Sequence, residues 1–157
     1  MSLALERQLI ESFFIANWTA TPIGLDGGSF TPAYGMDGRP DTSVSLSIVD
    51  GDMMQQSIGR VANVYGTPAH IAFMIYHDGA LGSSAWRGIA DSLINLFFNV
   101  AFDTAGAIIA TNTQTAFLRF CPPELGDNRF AQLGPLMTQA PFALKPVTIP
   151  FIRYETR

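Results

Sequence analysis

The chain is poor in charge and in the residue types that build catalytic and metal sites. Of its 157 residues, 14% are charged, with 9 Lys and Arg against 13 Asp and Glu, and there are 2 histidines and 1 cysteine. Globular chains usually carry about 25% charged residues. The shortage of Lys and Arg excludes the basic footprint by which nucleic-acid-binding proteins hold phosphates. The single cysteine, Cys121, excludes an internal disulfide and a multi-cysteine zinc site.

Long apolar segments and a leader sequence are also missing. The longest apolar run, Leu93–Phe102, is interrupted by Asn95 and Asn99, so we expect no membrane span. Residues 1–7 lack the basic start of a signal peptide, which favours a chain made and kept inside the cell. The length predicts one domain over residues 1–157. The low charge leaves two interpretations, a large core or a surface covered by other subunits.

The N-terminal third predicts a helix, a long loop and a strand. Apolar residues recur at helical spacing from Leu5 to Phe14, and we expect Glu6 on the opposite, polar side. The segment Pro22–Asp41 is rich in Gly, Pro and Asp, as is typical of a loop. Ser43–Val49 alternates between serine and apolar residues, which predicts a half-buried strand.

The next strand predicted by the sequence, Ala69–His77, is apolar on both faces. Ile71, Phe73 and Ile75 form one face, and the other face consists of His70, Ala72, Met74 and Tyr76. A strand apolar on both sides is usually central in its sheet, so we expect helices over one face. The other face needs a packed loop or a neighbouring subunit. The preceding run, Ile58–Tyr65, joins through Gly66-Thr-Pro68, which predicts a hairpin.

A second helix follows, with Ser83 or Ser84 as its predicted N-cap. Its apolar stripe predicts Trp86 as a buried anchor and continues through Ile89, Ala90, Leu93, Ile94 and Phe97. Phe98 falls on the polar side of this helix, so either the helix has ended there or Phe98 meets a partner.

The C-terminal part predicts a loop between strands. Ile108–Thr115 and Ala116–Phe120 have strand character, and Cys121–Pro141 is rich in Pro and Gly with too little pattern for an element. The last strand predicted is Val147–Tyr154. Pro150 has no N–H for a ladder, which places this strand at a sheet edge or at a bulge.

The spacing of the polar residues assembles no catalytic or metal site. His70 and His77 are seven residues apart on one strand and therefore face opposite sides. The segment Gly82-Ser83-Ser84 lacks the second glycine of a nucleophile elbow. Phosphate-binding and dinucleotide fingerprints are also missing. We therefore expect no catalytic residue, no metal and no cofactor.

The order of the parts resembles a known family. The residues that carry the resemblance are Ile10-Glu11, Phe14, Trp18-Thr19, Thr21-Pro-Ile23, Phe30-Thr-Pro32, Ser57-Ile-Gly59, Gly82-Ser83, Ala85, Ile89-Ala-Asp91, Leu96-Phe97 and Pro141-Phe142. Taken together, and covering about Leu5 to Tyr154, they resemble the tail terminator (tail completion) proteins of long-tailed bacteriophages and phage-like particles. The long Cys121–Gln139 loop departs from the pattern of that family.

The resemblance implies an α+β fold, a mostly antiparallel β-sheet with two α-helices packed on one face. It implies a ring, commonly a hexamer, that caps the tail tube, ends its polymerisation and offers the head or neck a docking surface. The partners would be further copies of the chain, the tail tube protein and a neck or connector protein. The chain would lie at the head-proximal end of the tail in the virion, and in the host cytoplasm during assembly. DNA would pass through the ring without sequence-specific binding, which suits an acidic chain because phosphate and carboxylate repel.

Four surfaces are candidates for subunit contacts. They are Phe98, the strand face with His70, Met74 and Tyr76, and the two long loops. An intramolecular second layer over the strand face is the alternative for that surface. Two other functions stay open, another neck or tail-tube subunit of the same particle, or a small ligand-binding module or enzyme with His77 and Asp78 near a pocket.

Overall fold

A computed structural model describes residues 2–55, 62–110 and 116–157 and shows an α+β fold with a curled, mostly antiparallel sheet. Its helices are α1 (Ser2–Asn17) and α2 (Ser84–Phe97), and 3₁₀ turns span Gly79–Leu81 and Pro123–Arg129. The strands in the described residues are β1 (Ile23–Gly24), β2 (Ser43–Asp50), β3 (Met54–Gln55), β4 (Val64–Asp78), β5 (Ala101–Phe102), β6 (Ile108–Ile109), β7 (Leu118–Phe120), β8 (Gln132–Leu133), β9 (Met137–Gln139) and β10 (Phe142–Thr156). The fold class predicted from the sequence is confirmed.

Both helices pack on the same face of the sheet. Phe14 of α1 and Phe97 of α2 are fully buried, and both contact Phe73 of β4, with ring centroids 5.2 and 5.7 Å away. Phe97 also lies 5.0 Å from Phe120 of β7. Burying an aromatic side chain of this size is worth about 2–3 kcal/mol in transfer free energy. The aromatic cluster therefore fixes the two helices to the sheet.

Helix α2 ends where the stripe of apolar residues ends. Trp86, Ala90, Leu93 and Phe97 are buried, and the Phe98 N–H donates to the Ile94 carbonyl at 2.9 Å in the last turn. Phe98 itself has extended backbone angles and is 45% exposed. The end of the helix at Phe97 accounts for the position of Phe98 outside the core stripe.

Strand β4 lies between β2 and β10 at the centre of the sheet. The hairpin predicted at Gly66–Pro68 is wrong, because these residues are inside β4. Pro68 has no N–H to donate, but it lies one residue beyond Ala69, which pairs with Asp50 at the end of the β2–β4 ladder. This ladder therefore needs no hydrogen bond from Pro68. The short strand β3 instead pairs with Tyr65 and Gly66. The remainder of the predicted Ile58–Tyr65 strand, up to residue 61, lies outside the described residues, as does the Ser57–Gly59 motif.

Strand β10 is central as well, so the sheet edge, one of the two alternatives predicted from Pro150, is wrong. Its 15 residues pair with β4 along the whole length, and its other edge pairs in turn with β9, β8 and β7. The carbonyls of Pro146 and Pro150 accept from Gly134 and Cys121 at 2.9 Å, so both prolines turn their N atoms to this second edge. They lie between the paired stretches, where the ladder is interrupted and an N–H is not needed.

The two long loops contain short elements that their sequences did not predict. Pro22–Asp41 includes β1 and an isolated bridge between Tyr34 and Pro40. Cys121–Pro141 includes a 3₁₀ turn and the strands β8 and β9. Strand β6 is only Ile108–Ile109, and the predicted continuation from 111 to 115 lies outside the described residues.

Candidate interaction surface

The face of the sheet opposite the helices contains the strand face that the sequence singled out as a candidate contact surface. We call it the outer face. Strand register aligns Ser43 with Tyr76, Ser45 with Met74, Ser47 with Ala72 and Val49 with His70, and β10 adds a third column. The outer face consists of Ser43, Ser45, Ser47, Val49, His70, Ala72, Met74, Tyr76, Leu144, Pro146, Thr148 and Pro150. None of these positions carries Asp, Glu, Lys or Arg. The face is thus nearly neutral, with His70 as its one histidine.

One end of the outer face is covered by the chain itself. Phe30, from the Pro22–Asp41 loop, packs on Tyr76 with ring centroids 5.2 Å apart. Tyr34 of the same loop packs edge-on against Phe142 at 5.2 Å. Tyr76 therefore contributes to an intramolecular layer, which was one of the two alternatives for this strand face.

The other end of the outer face is an open groove of about 610 Å³. His70 and Pro150 line it from the central strands, Val49 lines it from β2, and Phe130 lines it from the Cys121–Pro141 loop. Its remaining lining residues are Asp50, Gly51, Pro68, Ala69, Leu125, Asn128, Gln132 and Thr148. The structure thus brings His70 and the Cys121–Pro141 loop together, two candidates that the sequence treated separately.

Between these ends the outer face is made of uncharged side chains that are half-buried or exposed. Ala72, Met74, Pro146 and Thr148 are half-buried, and Ser47 is exposed. A sheet face that is neither charged nor fully covered is unusual on a monomer and is typical of a contact surface.

Exposed apolar side chains continue beyond the groove. Residues 130–144 contain no charged side chain. Within this segment Phe130, Leu133, Leu136 and Met137 are 41–56% exposed. Edge strands are usually protected by charge, and β8 and β9 lack that protection.

The histidine, serine and cysteine candidates are placed in structural roles. His77 faces the helices, is 1% exposed, and has Nδ1 3.2 Å from the Asp78 carbonyl. The predicted serine N-cap is confirmed in position, because Ser83 is the N-cap residue of α2, but its side chain makes no capping hydrogen bond. Ser84 is already helical, and its Oγ donates to the Leu81 carbonyl. Burial raises the pKa of the Cys121 thiol, which opposes formation of a reactive thiolate.

No metal site or membrane span is seen in the part of the chain that the structure describes. In residues 2–55, 62–110 and 116–157, no three His, Cys, Asp or Glu side chains group as metal ligands. Within the same ranges, no helix combines the length and hydrophobicity needed to cross a membrane.

A buried ion cluster around Arg153 was not predicted from the sequence. Arg153 and Glu6 are 4% and 1% exposed and are hydrogen-bonded to each other. Arg153 also contacts Glu155 at 2.8 Å, Asp50 at 3.4 Å and Thr67 at 3.5 Å. The prediction that Glu6 lies on the polar side of α1 is therefore wrong. Glu6 is buried, and its carboxylate is paired with Arg153, 147 positions away in the sequence. We call these residues the Arg153 cluster.

The cluster places three carboxylates around one guanidinium. Burial raises the pKa of Glu6 from 4.5 to about 7. The hydrogen bond and the charge of Arg153 lower this pKa, and the nearby Asp50 raises it further, but burial is the largest effect. Burial lowers the pKa of Arg153, but the hydrogen bonds and negative charges of Glu6 and Glu155 raise it by more, so the pKa of Arg153 is raised overall. The cluster connects α1 to β2, β4 and β10.

Comparison with known proteins supports the fold alone. No family model matches the chain, and no curated protein matches it. A solved structure whose name describes no function is 16% identical, with a TM-score of 0.58, and the alignment covers 98% of this chain and 96% of that one. At this identity the likeness extends to the fold and to nothing beyond it.

Proposed function

We propose that the chain is a structural virion protein that forms a ring on the end of a bacteriophage-type tail tube. The ring ends tube polymerisation and provides the docking surface for the head or neck. The observation that carries this proposal is the outer face, which lacks charge and stays partly open beside an apolar, uncharged edge segment. A subunit that meets equal copies on its sides, a tube below and a neck above requires such surfaces.

The charge balance supports the same role. The chain has a formal net charge of −4. Acidic walls repel the phosphates of DNA, so a channel built from such subunits lets DNA pass without holding it. Phe98, 45% exposed at the end of α2, adds an aromatic anchor of the kind enriched at protein interfaces.

A ligand-binding module is the second candidate, and the groove favours it. A volume of about 610 Å³ lies in the range of small-molecule sites. His70 and Asp50 are its ionisable lining residues, together with the amides of Asn128 and Gln132. His77, by contrast, is buried on the other side of the sheet and does not line the groove.

The mass in solution distinguishes the two functions. Size exclusion coupled to light scattering should give an assembly of about six times the 17.0 kDa chain, and negative-stain images should show closed rings with a central hole. A protein that stays monomeric at the highest soluble concentration contradicts the ring and favours the ligand-binding module.

Assembly in the particle provides an independent test. In a strain that produces the particles, deletion of the gene should give tail tubes of excess and variable length without attached heads. Tubes of normal length with heads attached contradict the proposal.

A further inference from the structure

A tight turn projects from the Pro22–Asp41 loop at the covered end of the outer face. We call residues 34–40 the tip turn. The Gly35 N–H donates to the Arg39 carbonyl at 2.8 Å, the Gly38 N–H donates to the Gly35 carbonyl at 3.0 Å, and the Arg39 N–H donates to Asp37 Oδ1 at 3.1 Å. Gly38 has a φ of +76°, which a glycine adopts without strain. The hydrogen bonds define one conformation for this turn.

The tip turn carries the most exposed apolar side chain of the described residues. Met36 has a relative exposure of 109%, and Tyr34 beside it is 56% exposed. Contact of the Tyr34 ring with Phe142 anchors the base of the turn to β10. An apolar side chain on a preorganised support loses little conformational freedom on binding, and methionine adapts to irregular cavities.

The groove at the opposite end of the outer face has the matching chemistry. Its walls are apolar at Val49, Leu125, Phe130 and Pro150, and Val49 and Phe130 are 43% and 49% exposed. Asp50 lines the same groove, and its side chain is 42% exposed although it contacts Arg153. On the tip turn, Arg39 is exposed and forms no ion pair with a residue that the structure describes. The tip turn also carries the exposed Asp37, whose Oδ1 accepts the Arg39 N–H of the turn itself. The tip therefore offers an apolar side chain and the Arg39 guanidinium to a groove that has apolar walls and the Asp50 carboxylate.

A copy cannot fill its own groove. The tip turn rests on Phe142 and the groove is lined by Pro150, eight residues further along β10. Along a strand this spacing corresponds to about 26 Å at about 3.3 Å per residue. The tip and the groove thus occupy opposite ends of one face, as a head-to-tail contact between copies requires.

We propose that the tip turn of one copy inserts Met36 into the groove of the next copy, with Arg39 placed beside Asp50. This inference rests on the proposed ring and names the contact that builds it. Each copy offers one tip and one groove, so every copy uses both. A heterologous contact of this kind closes into a ring when the rotation per copy divides a full turn.

Replacement of Met36 tests the tip. Met36→Asp should leave the monomer folded and raise the concentration of half-assembly by about tenfold or more, because it places a charge in an apolar groove. The matched control is Leu81→Asp, which changes a residue 57% exposed on the Gly79–Leu81 turn. The control should assemble like the parent. Circular dichroism establishes that each variant is folded.

Cysteine cross-linking tests the pairing of tip with groove. The double variant Met36→Cys/Val49→Cys should give, under mild oxidation, a ladder of linked chains up to the closed ring. A mixture of the two single variants should stop at dimers, and each single variant alone should not cross-link. Cys121 is 4% exposed and stays out of the reaction.

The outcomes separate this inference from the proposed function. If the parent assembles and Met36→Asp assembles equally well, the ring stands and the contact proposed here is wrong. Cross-linking of Met36→Cys with itself also overturns it, because that product requires a symmetric tip-to-tip contact. A parent that stays monomeric contradicts the ring and the contact together.

Discussion

Replacement of Glu6 by glutamine should change how the stability of the protein depends on pH. Glu6 is 1% exposed, and it shares the Arg153 guanidinium with two other carboxylates, those of Asp50 and Glu155. Its pKa is raised to about 7 in the fold from an ordinary value of 4.5. The folded state therefore holds a proton that the unfolded chain has already released. The stability contributed by protonated Glu6 is fully present below about pH 4.5 and is lost as the pH rises through about 7.

The magnitude follows from the size of the shift. Each pKa unit corresponds to about 1.4 kcal/mol, so the rise from 4.5 to about 7 corresponds to at most about 3 kcal/mol. Glu6→Gln removes the titration while keeping the shape and a hydrogen-bond acceptor for Arg153. Relative to the parent, the variant should therefore gain up to about 3 kcal/mol in free energy of unfolding between about pH 4 and about pH 8.

Urea unfolding followed by circular dichroism at several pH values measures this difference. The matched control is Glu11→Gln on the same helix, whose partner Arg7 lies 3.0 Å away with a side chain that is 51% exposed. The control should differ from the parent only by the small free energy of an exposed ion pair, about 0.5 kcal/mol. A constant free-energy difference between Glu6→Gln and the parent across this range would refute the reasoning, because it would show that Glu6 titrates alike in the folded and unfolded states.

Three further substitutions test the core and the surface. Trp86→Ala should cost about 3–5 kcal/mol, since Trp86 is 7% exposed with its ring 4.5 Å from Lys145 Nζ; a melting temperature within a few degrees of the parent would contradict this. His77→Ala should lower the stability of the buried strand by about 1–3 kcal/mol without changing assembly, and loss of assembly by the folded variant in light scattering would show a role beyond packing. Phe98→Asp should stay folded by circular dichroism and weaken the ring by about 2 kcal/mol per contact, whereas unfolding would place Phe98 in the core and normal assembly would make it ordinary surface.

The parts of the fold that the sequence predicted are those with a local periodic signal. The alternation in Ser43–Val49 and the stripe from Trp86 to Phe97 each report a single buried face, and both became regular elements. The predictions at Pro68 and Pro150 were wrong for a common reason. A proline reveals that one N–H is missing, but the edge to which that N atom points depends on the partner strand. Both prolines point to places where pairing is interrupted.

The candidate surface was predicted in part. The two-sided apolar pattern of Ala69–His77 indicated that the outer face needs a cover, and Phe30 supplies it at one end. The groove depends on the packing of the Cys121–Pro141 loop beside β10, which no local pattern encodes. The same holds for Glu6, whose burial depends on Arg153 at the other end of the chain. The one available signal was that Glu6 lies four residues before Ile10 and eight before Phe14, a spacing that places all three on the same side of a helix.

The position of β10 has a consequence for synthesis. This strand pairs with β4 on one edge and with β7, β8 and β9 on the other, yet it follows all four in the chain. Until residues 142–156 emerge, β4 lacks its longest partner and the aromatic cluster lacks Phe151. A chain released early would therefore expose an unpaired strand and be removed by aggregation or proteolysis.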